Sequence, residues 1–123
     1  MTILEAINRI DNLKHNTYTR SDKIYWLNRV DAIVKRLIID AHEGGEEVSF
    51  DGYTDTTPLD TELLVPAPFD EMYMRWLEAR IDYSNGEYDK YNNSILIYQE
   101  AYDSYANYYR RNHMPKGQGF KYF

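Results

Sequence analysis

A row of large residues near the C-terminal end of the sequence most limits the fold that this chain can adopt. Seven such residues between positions 88 and 109 follow one another at alternating intervals of three and four. This spacing places them on one face of an α-helix, and an aromatic stripe of that length is expected to pack on other helices. The members of this tyrosine seam are Tyr88, Tyr91, Ile95, Tyr98, Tyr102, Tyr105 and Tyr109.

Two packing arrangements fit the tyrosine seam. It can pack within the chain on the preceding helix, forming an αα-hairpin, or its hydroxyl-rich end can meet a neighbouring subunit. A buried phenol needs a partner for its O–H group. A seam this rich in tyrosine is therefore expected to stay partly open to water or to another protein.

Two helices are predicted in the first part of the chain. Thr2 and Glu5 match a capping box, which predicts a first helix over about residues 3–13. Thr19 or Ser21 is a suitable N-cap for the second helix, with Asp22 in its first turn. The expected apolar face of that second helix contains Leu27, Val30, Val34, Leu37, Ile38 and Ala41, and Gly44-Gly45 ends it.

The second half of the chain predicts two more helices. Pro66 and Pro68 precede a third, which has Asp70 and Glu71 at its start. A fourth, over about residues 87–111, follows the turn signal at Asn85-Gly86. We therefore predict one all-α domain over residues 1–123, with four helices and a long C-terminal αα-hairpin.

An acidic segment separates the second and third helices. The net charge is −6, yet between Glu43 and Glu62 there are seven acids and no lysine or arginine, so the whole negative excess lies in this segment. We predict a projecting acidic loop over residues 43–65. It could include a small β-ribbon in which Val48 and Phe50 pair with residues 62–65, although an isolated ribbon is marginal in water.

The acidic segment has several readings. It can be a solvated loop with no partner, an arm that docks on a basic surface, or the lining of a channel from which negative charge repels DNA. Calcium binding is a weaker reading, because Asp51 and Asp55 do not match the spacing of a twelve-residue calcium loop.

Catalytic and cofactor sites are not expected. The chain has no cysteine, and its three histidines, His15, His42 and His113, are scattered. No metal-ligand spacing, phosphate-binding glycine loop or nucleophile motif is found. There is no basic stripe for nucleic acid and no apolar run that could cross a membrane, so we predict a non-enzymatic cytosolic protein without cofactor or metal.

Two stretches of the sequence resemble a known family. They are LLVPAPFDEMY, residues 63–73, and YANYYRRNHMP, residues 105–115. Both resemble small prophage proteins of Gram-positive bacteria that look like head–tail connector, or adaptor, proteins of tailed bacteriophages. The resemblance implies a virion neck protein, assembled in the host cytoplasm, that forms a ring of about twelve copies beneath the portal.

The same resemblance implies the partners of the chain. They are the portal protein, the next neck or tail-completion protein and further copies of the chain itself, while DNA passes through the channel without specific binding. The family uses a loop and a C-terminal arm to reach its neighbours, here the acidic loop and a flexible arm over residues 112–123. The residues expected at these protein interfaces are Glu46, Glu47, Phe50, Tyr53, Asp55, Leu63, Leu64, Tyr108, Met114, Phe120, Tyr122 and Phe123.

An alternative function also fits the sequence. The chain could be a small cytosolic interaction module, such as a regulator or an antitoxin-like binder of one partner. The terminal segment could likewise be a frayed end instead of an arm that becomes ordered on a partner.

Overall fold

The computed structural model describes residues 1–116, and these fold into four α-helices. They are α1 (Ile3–Leu13), α2 (Arg20–Val34), α3 (Glu71–Ser84) and α4 (Tyr88–Asn112). Residues 1–116 contain no β-strand, so the predicted all-α class and four helices are confirmed. The predicted contact residues Phe120, Tyr122 and Phe123 lie outside the described residues.

Capping boxes begin the first two helices. The backbone N–H of Glu5 donates to the Thr2 hydroxyl, and the Glu5 carboxylate accepts from the Thr2 backbone N–H, both at 3.1 Å. Thr19 and Asp22 form the same reciprocal pair at the start of α2. These side chains satisfy amide groups that a helix start otherwise leaves unpaired, which is why the local sequence predicts both starts correctly.

A π-helical turn, Lys35–Ile39, continues α2 and rotates its buried face. The backbone N–H of Asp40 bonds to the Lys35 carbonyl at 2.8 Å, five residues back. The extra residue in this turn moves the face on by one position, so that Ile39 and His42 are buried. The prediction that Leu37 and Ala41 belong to the apolar face is therefore wrong, and both are exposed.

Helices α3 and α4 lie side by side in opposite directions. Tyr83 near the end of α3 packs on Tyr88 and Tyr91 at the start of α4, with ring centroids 5.7 and 5.1 Å apart. Earlier on α3, Trp76 packs on Tyr98 at 5.0 Å. The tyrosine seam thus packs within the chain on α3.

Burial varies along the tyrosine seam. Tyr98, Tyr105 and Tyr109 are buried, whereas Tyr88 is exposed. The remaining members, Tyr91, Ile95 and Tyr102, are half-buried. The seam therefore supplies part of the core and keeps part of its aromatic surface in contact with solvent.

The core is centred on α3, which packs on each of the other three helices. Leu27, Val30 and Val34 of α2 are fully buried. Ile3, Ala6, Ile7 and Ile10 of α1 and Met72, Tyr73, Leu77 and Ile81 of α3 complete its centre.

Candidate protein-interaction surface

The acidic segment is fastened to the helices by a buried carboxylate on α2. The Asp31 side chain is fully buried and accepts three hydrogen bonds. The hydroxyls of Tyr53 and Tyr73 donate at 2.5 and 2.6 Å, and the backbone N–H of Leu64 donates at 3.0 Å. Two of the three donors belong to residues 43–65, so this segment is held against α2.

Burial sets the protonation of this cluster. It raises the pKa of Asp31 above its ordinary value, an effect that the three donated hydrogen bonds only partly offset. Burial also raises the pKa values of Tyr53 and Tyr73, and the adjacent Asp31 carboxylate raises them further. Both phenols therefore stay protonated at neutral pH and remain hydrogen-bond donors.

A second set of contacts fastens the acidic segment to the start of α1. The first two amide groups of the helix, those of Ile3 and Leu4, donate to the carbonyls of Thr61 and Leu59, each at 3.0 Å. The backbone N–H of Leu63 donates to the Met1 carbonyl at 2.9 Å. These bonds complete the N-terminus of α1 with backbone groups that are distant in sequence.

The prediction that residues 43–65 project from the domain is therefore wrong. The alternative β-ribbon is also not formed, since the only pairing of residues 62–65 in the described chain is a single bridge between Thr2 and Glu62. A short 3₁₀-helix, Gly45–Glu47, and irregular backbone occupy the segment instead. Its buried amides find their partners on α2 and α3 and at the start of α1.

Side chains in the acidic segment are sorted by polarity. Tyr53, Leu63 and Val65 point into the core. All seven carboxylates of the segment are exposed, and together they are called the acidic face from here on. Its members are Glu43, Glu46, Glu47, Asp51, Asp55, Asp60 and Glu62. Two of them are paired with cations, Glu46 with Lys116 at 3.6 Å and Glu62 with the amino group of Met1 at 3.1 Å.

The predicted contact residues divide accordingly. Glu46, Glu47 and Asp55 are exposed on the acidic face, although Asp55 also accepts a 2.6 Å bond from the Ser21 hydroxyl. The predicted contacts through Tyr53 and Leu63 do not fit the structure, because both side chains are core residues. Phe50 and Leu64 are half-buried against the core and offer only part of their surface.

An aromatic cluster joins the entrance of α3 to the end of α4. The Phe69 ring lies 5.7 Å from that of Tyr105 and 4.7 Å from that of Tyr108, measured between centroids. Tyr105 is buried, but Tyr108 keeps 39% of its surface exposed. An aromatic residue that is anchored by neighbours and still accessible is typical of a binding surface.

Residues 112–116, the first part of the predicted flexible arm, belong to the folded domain, and residues 117–123 lie outside the described residues. Asn112 is the last residue of α4, and the His113 ring stacks on Tyr109 with centroids 3.7 Å apart. Residues 114–116 then run antiparallel to residues 41–43, with His42 bridged to Pro115. Residues 112–116 are therefore held by the domain, while the Met114 side chain is 56% exposed beside them.

Three buried charged residues, Asp31, Lys23 and Asp82, are absent from the predicted site residues. Asp31 lies between Val30 and Val34, four residues after Leu27, so it interrupts a predicted apolar face. A carboxylate at such a position is a signal, because buried acids are retained where they have partners. Lys23 and Asp82 are likewise buried and paired, with Asp11 and Lys14 respectively.

Metal ligands do not converge in the part of the chain that the structure describes. Within it, no three side chains of histidine, aspartate or glutamate are grouped so that they could hold a metal ion.

No helix in residues 1–116 combines the length and the apolar character needed to cross a membrane.

Comparisons with known proteins gave no match. No model of a protein family matches the chain, and no curated protein and no solved structure matches it either.

Proposed function

We propose that this chain is a structural adaptor of a tailed-phage neck, which assembles by packing on other proteins. Its partners in this proposal are the portal protein, the next neck protein and further copies of itself, in a ring that extends the DNA channel. The proposal begins from the two stretches that resemble head–tail adaptors, residues 63–73 and 105–115.

One observation carries the proposal: those two stretches meet in space. Phe69 from the first stretch packs on Tyr105 and Tyr108 from the second. The two stretches that carry the resemblance are therefore in contact in the folded chain. Tyr108 and Met114, both in the second stretch, supply accessible apolar surface, as an assembly contact requires.

The acidic face supports the same proposal. Seven exposed carboxylates, of which Glu46 and Glu62 are paired with cations, leave an excess of negative charge on this segment. In a ring, such faces repel the phosphate backbone of DNA, which lets DNA pass without being bound.

The proposal is tested by mixing the chain with the portal ring from the same phage or prophage genome. We expect co-sedimentation with the portal, and a ring of the chain at its lower end in electron micrographs. Tyr108→Glu and Met114→Glu should each remove binding, because they place charge in the proposed contact.

Tyr88→Glu is the matched control, since Tyr88 is exposed at the opposite end of α4. It should bind as the wild type does. Circular dichroism of each variant separates loss of binding from loss of folding. If the folded wild-type chain does not bind the portal, the proposal is overturned.

A further inference from the structure

An apolar groove lies between α4 and the segment formed by α2 and the π-helical turn. Its volume is about 260 Å³. Leu37 lies at its edge with 61% of its surface exposed, beside other apolar side chains. An accessible apolar patch of this kind is typical of a contact site. The residues that line this Leu37 groove are Ile33, Leu37, Trp76, Tyr98, Gln99 and Tyr102.

Positive charge lies along the α2 edge of the groove. Arg36 directly precedes Leu37, and Arg29 lies about two turns earlier on α2. Both arginines are exposed, and neither forms an ion pair within residues 1–116. On the α4 side, Glu100 and Asp103 are exposed acids that directly follow groove residues. The α2 edge is therefore the part of the groove that attracts carboxylates.

A hollow in the acidic segment has the complementary chemistry. Its volume is about 220 Å³. Phe50 and Leu64, both half-buried, supply apolar surface to this Phe50 hollow, and Asp51 and Glu62 are its acidic members. Glu62 is paired with the amino group of Met1. Asp51 has no ion pair in the part of the chain that the structure describes, so its carboxylate is available to a cation.

The groove edge and the Phe50 hollow lie on different sides of α2. The Asn28 side chain accepts a 2.9 Å hydrogen bond from the backbone N–H of Tyr53, which fixes the acidic segment on its side of the helix. Ile33 of the groove comes five residues after Asn28, or about 140° around the helix axis. One chain therefore cannot bring its own two surfaces together, whereas two copies can.

We propose that the α2 edge of the Leu37 groove in one copy contacts the Phe50 hollow of the next copy. Leu37 enters the hollow between Phe50 and Leu64, and Arg36 approaches the Asp51 carboxylate. Apolar side chains thus meet apolar side chains, and opposite charges meet at the border, as is typical of specific protein interfaces. A symmetric contact of groove with groove would instead place the arginines of both copies in one interface, where like charges repel.

The proposed contact is head-to-tail, because it uses different surfaces of the two copies and leaves each copy one free groove and one free hollow. It rests on the proposed function, since it names the surfaces through which neighbouring copies of a ring would join. Members of the acidic face that do not line the hollow remain available to the DNA channel. Self-association is measured without the portal, so its failure is distinguishable from a failure to bind the portal.

Analytical ultracentrifugation of the full chain tests the contact. We expect the mean mass to rise with concentration between the micromolar and millimolar ranges. Leu37→Glu and Asp51→Arg should each weaken self-association about tenfold or more, because each brings like charges together in the contact. A wild-type chain that remains monomeric throughout the millimolar range would overturn the proposal.

Two matched variants serve as controls. Leu13→Glu replaces a leucine that is 69% exposed on α1. Asp60→Arg makes the same charge change as Asp51→Arg, at an exposed acid of the segment that does not line the hollow. Both controls should associate nearly as the wild type does, and circular dichroism verifies that all four variants are folded. If the controls weaken self-association as much as the test variants do, net charge is the cause and the proposal is wrong.

An equimolar mixture of the two test variants identifies the geometry of the contact. Leu37→Glu retains an intact Phe50 hollow, and Asp51→Arg retains an intact groove edge. Together they should form a dimer at the wild-type strength and no larger species, at concentrations where each alone is largely monomeric. Self-association of Asp51→Arg alone at the wild-type strength would mean that groove packs on groove, and it would refute the head-to-tail contact.

Discussion

The hydroxyl of Tyr73 on α3 donates a 2.6 Å hydrogen bond to the buried carboxylate of Asp31 on α2. The same hydroxyl oxygen accepts a 2.8 Å bond from the backbone N–H of Val65. Asp31 also receives bonds from Tyr53 and Leu64. The carboxylate of Asp31 therefore joins two helices and the acidic segment. A substitution at this position should weaken the packing of all three.

Asp31→Asn should lower the free energy of unfolding by about 2 kcal/mol or more, because the amide turns an N–H₂ group toward donors that need an acceptor. Urea denaturation followed by circular dichroism measures the loss. Asp60→Asn is the control, since Asp60 is an exposed acid of the acidic segment that Asp31 holds. Equal stability of the two variants would contradict the role assigned to Asp31.

Alkaline pH should unfold the protein through its buried phenols. Burial raises the pKa of Tyr105 from 10.0 to about 12, and the nearby ionisable groups of Tyr109 and Asp31 add to the effect. The folded state thus holds this proton more tightly than the unfolded state does. Its contribution to stability is intact below pH 10.0 and is lost as the pH rises through about 12.

This pH dependence is measured by urea denaturation at a series of alkaline pH values. Tyr105→Phe should show a smaller fall in unfolding free energy across that interval than the wild type. Tyr88→Phe, at an exposed phenol, should follow the wild type. A Tyr105→Phe curve parallel to the wild type would refute the assignment.

Lys14→Met should destabilise the junction of α1 with α3. The Lys14 ammonium lies 2.6 Å from a carboxylate oxygen of buried Asp82, whose other oxygen accepts from the Ser94 hydroxyl at 2.7 Å. Removing the cation leaves a buried carboxylate without its counter-charge, at a cost of about 2 kcal/mol, which is below the value for a fully buried pair because Lys14 is partly exposed.

The exposed pair of Lys90 and Glu87 supplies the control for this prediction. Its charged atoms are also 2.6 Å apart, but water solvates both side chains. Lys90→Met should therefore leave the urea midpoint unchanged. If Lys14→Met also leaves the urea midpoint unchanged, the buried Asp82 carboxylate does not require the Lys14 ammonium for stability.

Gly45→Ala should destabilise the turn after the π-helix. A Cβ atom at position 45 would lie 2.3 Å from the Ile39 carbonyl oxygen, which is backbone and cannot rotate away. We expect a loss of about 1–3 kcal/mol, typical of overpacking, in thermal or urea unfolding. Ser49→Ala, at an exposed position in the same segment, should cost much less. A wild-type melting curve for Gly45→Ala would mean that the turn relaxes freely.

Local signals explain which parts of the fold the sequence could predict. The capping residues Thr2 and Thr19 act within three positions of themselves, so their helices begin where expected. The π-turn at Lys35–Ile39 has no comparable signal, because the packing of Ile39 and His42 selects it. The exposure of Leu37 could not be predicted without it.

Distance along the chain limits what the sequence could reveal about the candidate surface. Asp31 could be noticed in an apolar face, but its partners Tyr53 and Tyr73 are 22 and 42 residues away. For the same reason, some of the predicted contact residues are exposed and others are buried. Tyr53 and Leu63 are apolar residues in an acidic segment, and only the tertiary fold decides that they face inward. The phage assignment and its partners stay predictions.

The bonds from Ile3 and Leu4 to Thr61 and Leu59 also bear on the order in which the chain folds during translation. The ribosome releases α1 first, yet the carbonyls that complete its first turn emerge only after α2 and most of the acidic segment have been synthesised. Until Leu59 and Thr61 have been synthesised, water is the partner that remains for these two amides. The native start of α1 is accordingly complete only when the middle of the described chain has closed on this helix.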